Sequence, residues 1–250
     1  DIHKIIETYR ILAADRDSIT YDYGKNIKDF KGVDLDYLEE KIKLFNPNHS
    51  EKFDFPKPHG GGTAYMNTID KDGLGVSLIQ SNFHGIGSRI GVGSFGFFLH
   101  NRGCGFNLDS KHPNYLTPGR KPLHTLSPTI WSKNGNLEFI AGTRGGRYQP
   151  QLLIQTILPY IQKSDSFEEI IKEPRWVIEN FSNETISKLR FEKINNEDLE
   201  ILLKKGHEVE VENKLNKAYG PISIIYKKDD GNFEGVCDVR VGTEKVFNSF

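Results

Sequence analysis

The stretch HGGGTAYMNTIDKDG, from His59 to Gly73, puts a threonine directly behind three glycines and in front of a strand-like segment. A threonine hydroxyl is a weak nucleophile until a base takes its proton. One solution uses the residue's own α-amine, which requires the threonine to stand at a chain N-terminus. Cleavage of the Gly62–Thr63 bond would create that terminus, and small residues ahead of it leave room for the peptide to be attacked. From these residues alone, an ordinary strand start is the better explanation, since Gly-Thr pairs are common. A second stretch, AGTRGGRYQPQLLIQTI (141–157), reads as a strand end, two glycines and a helix beginning near Gln149. Backbone N–H groups at such a junction are unpaired and converge, and the helix dipole adds partial positive charge. That combination suits an oxyanion, although a plain glycine turn accounts for the same residues.

Other chemistries lack their signatures. GIGSRIGVGSFG (85–96) has its third glycine one position late for a dinucleotide fingerprint and does not sit in a βαβ unit, so no cofactor is expected. The eight histidines show no pair at the i, i+4 spacing of a zinc helix, and no metal is expected. Cys104 and Cys237 form no CxxC motif and read as two separate thiols. No GxSxG elbow is present. The net charge of -1 gives no basic excess for nucleic acid, and no apolar run approaches a membrane span.

The elements that must position these residues follow from periodicity and turn signals. Helices are predicted over about 2–17, 34–45 (Leu35, Leu38, Ile42 and Phe45 on one face, Asp34 as N-cap), 149–163, 166–172 and 196–205. Between the second helix and Thr63, NPNHSEKFDFPKPHGGG (46–62) reads as a linker or exposed loop where chains are cut. Hairpins are predicted around KDG, KNGN and DDGN, with GSFGFFLHN (93–101) as a further strand. Hairpins with intervening helices indicate an α+β protein with antiparallel sheets. The first residue is Asp1 and the sole methionine is Met66, so the sequence reads as a piece of a longer protein, and its compartment, cytoplasmic or exported, stays open.

Taken in order, ETYRILAADRD, TAYMNTIDKDG, SLIQSNFHGIGSRI, FFLHNRGCGFNLD, TPGRKPLHTLSPTI, AGTRGGRYQPQ and EGVCDVR resemble the gamma-glutamyltransferase (gamma-glutamyltranspeptidase) family, a branch of the N-terminal nucleophile hydrolases, over nearly the whole chain. The resemblance implies a four-layer αββα sandwich. Residues 1–62 would be the end of a large-subunit region with a processing linker, and 63–250 the small-subunit catalytic region. An upstream large-subunit segment would be the missing partner. It further implies self-cleavage between Gly62 and Thr63, and attack by Thr63 on a γ-glutamyl amide such as that in glutathione. Ser81 would hold the nucleophile, and Gly145 and Gly146 would donate to the oxyanion. The substrate would be a small γ-glutamyl or related acyl amide, with hydrolysis favoured over transfer.

The substrate-binding positions implied by the resemblance are Phe83, Asn101, Arg102, His124 and Thr125, and several depart from the family pattern. Ala64 stands where a second threonine is usual, Phe83 where asparagine is, Arg102 where glutamine or glutamate is, and Gly105 where aspartate is. His124-Thr125 replaces a serine pair. An arginine in place of an acid disfavours an ammonium and favours a carboxylate. A structural arginine is the competing explanation. The retained catalytic end and the rewritten recognition end leave two alternatives: an amidase of the glutaryl or cephalosporin acylase kind, or a non-catalytic member that binds amino-acid-like ligands.

Overall fold

The computed structural model describes residues 1–24, 33–51, 62–162, 165–179, 188–242 and 245–247. Most of the linker expected before Thr63, including His59, lies outside them. The chain opens on α1 (Ile2–Ala14), capped by the Asp1 carboxylate, which accepts from the His3 and Lys4 N–H groups. Its buried residues His3, Ile6, Glu7, Arg10 and Ile11 fall at the three- and four-residue spacing of one helical face. A short α2 (Arg16–Ile19) follows. α3 (Leu35–Ile42) has the predicted Asp34 cap, with Asp34 Oδ1 accepting from Tyr37 N at 2.9 Å. Its apolar side chains do not reach a core: Leu35 is 75% and Ile42 49% exposed.

β1 (Thr63–Ile69) and β2 (Gly75–Ser81) form the first predicted hairpin, in a register that sets Thr63 opposite Ser81. Asp70 folds the turn by accepting from the N–H groups of Asp72 and Leu74, and Gly73 takes the positive φ of 83° that the turn requires. β3 (Thr129–Lys133) and β4 (Asn136–Thr143) form the second hairpin. Its Asn134-Gly135 pair has φ of 53° and 80°, the left-handed conformation of a tight two-residue turn. β8 (Ile222–Lys227) and β9 (Phe233–Cys237) form the third, and the four strands join in the order β3-β4-β8-β9, all antiparallel.

The β1–β2 hairpin stacks on this sheet. The Tyr65 ring fills the space where Gly142 has no side chain, Gly75 lies against Ile140, and Asn67 Nδ2 donates to Ser223 O at 3.2 Å. On the sheet's other face lie α4 (Gln149–Ile161) and α5 (Phe167–Ile170). Phe139, Ala141, Ile222 and Ile224 of the sheet pack there with Leu152, Leu153, Ile157 and Phe167 of the helices. Each such large apolar side chain contributes about 1.5–3 kcal/mol on burial. The hairpin's outward face carries Met66, Val76 and Leu78, all about half exposed.

Two departures from the sequence reading concern the sheets. Residues 93–101 form no strand: Gly93–Phe95 is a 3-10 turn, and a single bridge joins Gly91 to Phe98. A third sheet is built from three four-residue strands that the sequence pattern does not reveal, β5 (Trp176–Glu179), β6 (Lys188–Phe191) and β7 (Glu208–Val211). β6 and β7 are parallel, joined through α6 (Asn196–Lys204), so one βαβ unit sits among the antiparallel hairpins. α1 packs on this sheet through Ile6, against Trp176, Ile178, Leu189, Phe191 and Leu202. A buried ionic network ties it to the segment after β9. Arg240 pairs with Glu192 and with Asp238, and Arg175 pairs with Asp238 at 2.6 Å.

Candidate active site

Thr63 is the first residue of β1, and its Oγ1 donates to Ser81 Oγ at 3.0 Å. The contact follows from the hairpin, because the register places the two residues directly opposite and both on the half-buried face. Ser81 Oγ also accepts from the Phe83 N–H at 3.0 Å, so one serine oxygen fixes both the threonine and the backbone after β2. Phe83 holds an uncommon φ of 76°, a conformation that is strained for a bulky side chain.

The bond ahead of Thr63 is closely held. Gly62 N donates to Phe83 O at 3.1 Å, and Gly62 O accepts from Asn82 N at 3.3 Å. A Cβ on Gly62 would stand 2.1 Å from the carbonyl oxygen of Gly85. Glycine is therefore required at this position by space. The Gly85 segment is itself pinned by Asn101, whose Oδ1 accepts from His84 N at 2.9 Å and whose Nδ2 donates to Gly87 O at 3.3 Å. Asn101, expected as a substrate contact, thus braces the loop against which Gly62 packs.

The glycine pair lies toward the same end of the hairpin. Gly75, at the turn end, packs on Ile140, and Tyr65 packs on Gly142. The hairpin therefore runs with Thr63 toward Thr143 and the glycines beyond it. Gly145 and Gly146 have φ of 126° and 57°, and a 3-10 turn over Gly146–Tyr148 leads into α4. Neither N–H finds an acceptor among the described residues. Two consecutive positive-φ residues before a helix make a concave array of backbone donors.

Phe83 connects the Thr63–Ser81 contact to the surroundings of Arg102 and Thr125. Its ring contacts the Arg102 guanidinium at 4.4 Å and stacks on His84 at 4.0 Å. With Thr125 and Gly105, Phe83 lines a cavity of about 150 Å³. Thr125 and Arg102 are buried, whereas His124 is exposed and its carbonyl accepts from Arg16 Nη2 at 3.1 Å. Partial desolvation, with the Arg102 and Arg16 charges, holds the His124 imidazole below the ordinary histidine pKa. Gly105 has no room for a side chain, since a Cβ would lie 2.5 Å from Leu123 O.

Residues 1–247 match the family model described as Gamma-glutamyltranspeptidase. The chain belongs to the gamma-glutamyltranspeptidase family. It is 31% identical to the glutathione hydrolase-like YwrD proenzyme of Bacillus subtilis, over 95% of this chain and 45% of that protein. It is 30% identical to the oxamate amidohydrolase proenzyme of Klebsiella pneumoniae, over 96% of this chain and 46% of that protein. Among solved structures, a cephalosporin acylase from Bacillus halodurans superposes with a TM-score of 0.81 at 27% identity, covering 96% of this chain and 43% of that one. The chain therefore spans less than half the length of these relatives. The fold is that of the N-terminal nucleophile hydrolases of the gamma-glutamyltranspeptidase and acylase kind. The stacked sheets with α4 and α5 on one face are its α+β sandwich core.

Several contacts have no signal in a single sequence. Asn82 N–H on the Gly62 carbonyl, the Gly85 oxygen against Gly62, and the Arg147–Asp17 ion pair at 3.1 Å all join loops distant along the chain. Away from the site, His3, Glu7 and His207 bring three potential metal-ligand atoms within 4.8 Å. His3 and Glu7 stand at i, i+4 on α1, a mixed histidine–carboxylate pair that histidine spacing alone does not reveal. Most of their ligand atoms are already engaged, although His207 Nδ1 has no hydrogen-bond partner among the described residues. His3 Nε2 donates to Asn46 O at 2.9 Å, so its Nδ1 accepts from His207 Nε2 at 2.8 Å, a tautomer assignment that follows from the carbonyl partner. Glu7 accepts from Arg10, Ser50 and the Glu51 N–H. Burial lowers both histidine pKa values, and His207, with Arg10 and His3 beside it, falls to about 3.

Proposed function

We propose that the protein is an autoprocessed amidohydrolase. In this reading it is cut at Gly62–Thr63, with residues 63–250 as the catalytic small-subunit region and residues 1–62 as the end of the large-subunit region. The freed Thr63 cleaves the amide bond of a γ-glutamyl or closely related acyl group, of the kind found in glutathione. The observation that carries the reading is the Thr63–Ser81 contact at the start of β1, behind a Gly62 that admits no side chain.

The chemistry balances as follows. Thr63 Oγ bonds to the amide carbonyl carbon while its proton passes to the Thr63 α-amine. The Gly145 and Gly146 N–H groups, free of other acceptors among the described residues, suit the tetrahedral oxyanion. The C–N bond breaks and the leaving amine takes the proton from the α-ammonium. Water then attacks the ester carbon and gives a proton to the α-amine. The C–O bond to Thr63 breaks, the hydroxyl is reprotonated and the acid leaves. In the uncut chain the Thr63 nitrogen is an amide without a basic lone pair, so cleavage switches the base on. Hydrolysis is favoured over transfer because Asp17, the carboxylate lining the cavity, is already paired with Arg147 and does not offer an acceptor amine a partner.

Purified full-length protein tests the reading. Intact mass analysis is expected to find a fragment beginning at Thr63, and that preparation is expected to release aniline from γ-glutamyl or glutaryl anilides. Thr63→Ala is expected to abolish both. Anilide release by an uncut Thr63→Ala chain would overturn it.

A further inference from the structure

Among the described residues, Arg10, Arg102, Arg175 and Arg240 are buried. Three have a carboxylate partner: Glu7 for Arg10, Asp238 for Arg175, and Glu192 with Asp238 for Arg240. Arg102 has none among the described residues. It is 7% exposed, and both terminal nitrogens, Nη1 and Nη2, lack a hydrogen-bond partner there. Its guanidinium faces the Phe83 ring at 4.4 Å, and burial alone lowers its pKa. A face-on aromatic contact does not replace the hydrogen bonds a guanidinium loses on leaving water. Burying a charge without a counter-ion is unfavourable enough that structures supply one, and in this protein the other three buried arginines follow that rule.

The neighbourhood determines what that counter-ion is. Phe83, which contacts Arg102, joins the nucleophile to the cavity: its N–H donates to Ser81 Oγ, which in turn accepts from Thr63. The cavity volume of about 150 Å³ corresponds to roughly five waters at ~30 Å³ each, the scale of a short acyl chain. Among the residues lining it, the one carboxylate is Asp17, and both Asp17 oxygens are occupied by Arg147, at 3.2 and 3.1 Å. Gly105, on the same wall, cannot carry an acidic side chain because Leu123 O fills its Cβ position. The region thus offers an uncompensated guanidinium and, among the described residues, no uncommitted carboxylate for an ammonium group.

We infer that Arg102 anchors the distal carboxylate of the acyl group, and that the preferred donor is a monoamide of a short dicarboxylic acid lacking an α-ammonium. This rests on the amidohydrolase reading for the position of the scissile bond, and it specifies the substrate class of that same site. A planar guanidinium with both outer nitrogens unpaired is the geometry for bidentate capture of a carboxylate.

The test compares three anilides on the full-length processed protein. Glutaryl anilide carries the carboxylate alone, γ-glutamyl anilide carries carboxylate and ammonium, and butyryl anilide carries neither. Glutaryl is expected to exceed butyryl in kcat/KM by roughly thirtyfold or more, about 2 kcal/mol, and to exceed γ-glutamyl. Arg102→Gln is expected to shrink the glutaryl-to-butyryl ratio at least tenfold, with Arg102→Lys between the two. A ratio unchanged by Arg102→Gln, or a wild-type preference for γ-glutamyl, would overturn the inference while leaving the amidohydrolase reading standing. Binding separates the two without turnover. Glutarate is expected to raise the melting temperature of the Thr63→Ala protein where butyrate and chloride at equal ionic strength do not. Equal shifts from glutarate and butyrate would overturn the inference even if no anilide were hydrolysed.

Discussion

Gly62→Ala places a methyl group where the packing around the Gly62–Thr63 bond leaves no space for one. The added Cβ would sit 2.1 Å from Gly85 O and 3.1 Å from Gly85 C. An ordinary Cβ contact begins at 3.4 Å, so the overlap with Gly85 O is more than about 1 Å and involves backbone. Gly85 cannot simply retreat, because Asn101 clamps His84 N and Gly87 O on either side of it. The strain therefore falls on the Gly62–Thr63 peptide and displaces its carbonyl from Asn82 N and from Thr63 Oγ1. A misplacement of ~1 Å in a reacting group costs on the order of a hundredfold in rate. A time course of freshly expressed protein, followed by intact mass, is expected to show the fragment beginning at Thr63 appearing about a hundredfold more slowly than in wild type. Relaxing the clamp with Asn101→Ala in the Gly62→Ala background is expected to recover part of that rate. When the two pieces are co-expressed as separate chains, one of them beginning at Thr63, Gly62→Ala on the other is expected to leave activity unchanged. Processing of Gly62→Ala at the wild-type rate would refute the claim that packing at Gly62 positions the scissile bond.

Three further outcomes follow from the same geometry. Ser81→Ala removes the acceptor for both Thr63 Oγ1 and the Phe83 N–H; the donor left unpaired is expected to lower unfolding stability by about 1–3 kcal/mol in urea titration, with Ser81→Thr retaining most of it. Gly145→Ala has steric room, its Cβ meeting Tyr148 at 3.5 Å, but its φ of 126° excludes an L side chain. The backbone must turn and one N–H leaves the array, so kcat is expected to drop about a hundred- to a thousandfold with little change in KM. His207 has a folded pKa of about 3 against an ordinary 6.5. The unfolded chain therefore takes up a proton first, and stability present above pH 6.5 is lost as pH falls toward 3, by at most about 1.4 kcal/mol per pH unit. Urea unfolding at about pH 7 and about pH 4.5 is expected to show an acid loss smaller by roughly 2–3 kcal/mol in His207→Leu than in wild type; equal losses in the two proteins would contradict this.

Much of the proposed catalytic end is legible in the sequence because it is local. The Asp70–Leu74 turn sets the register of the first hairpin, and the register alone puts Thr63 opposite Ser81. Gly145 and Gly146 are visible as a strand-to-helix break, and the Asn134-Gly135 turn as a hairpin. The β5–β6–β7 sheet is not legible, since strands of four residues show too little alternation to be read against helix or loop. Leu35, Leu38 and Ile42 have the spacing of a buried face yet lie exposed on α3, because periodicity records a face without naming what covers it. Nor can a sequence show that Arg102 meets no acid among the described residues: that depends on each carboxylate's place in space, and Asp17 is already held by Arg147, 130 residues away. The role of Asn101 is similar, its amide serving the loop that holds Gly85.

The central claim is that Thr63 Oγ carries the acyl group during turnover. Rapid acid quenching of processed protein mixed with a glutaryl or γ-glutamyl anilide, followed by peptide mapping, tests it directly. The account predicts an acyl adduct on the peptide beginning at Thr63, ester-linked to that residue and absent from Thr63→Ala. An adduct on another side chain, or turnover with no adduct at Thr63 under burst conditions, would contradict it.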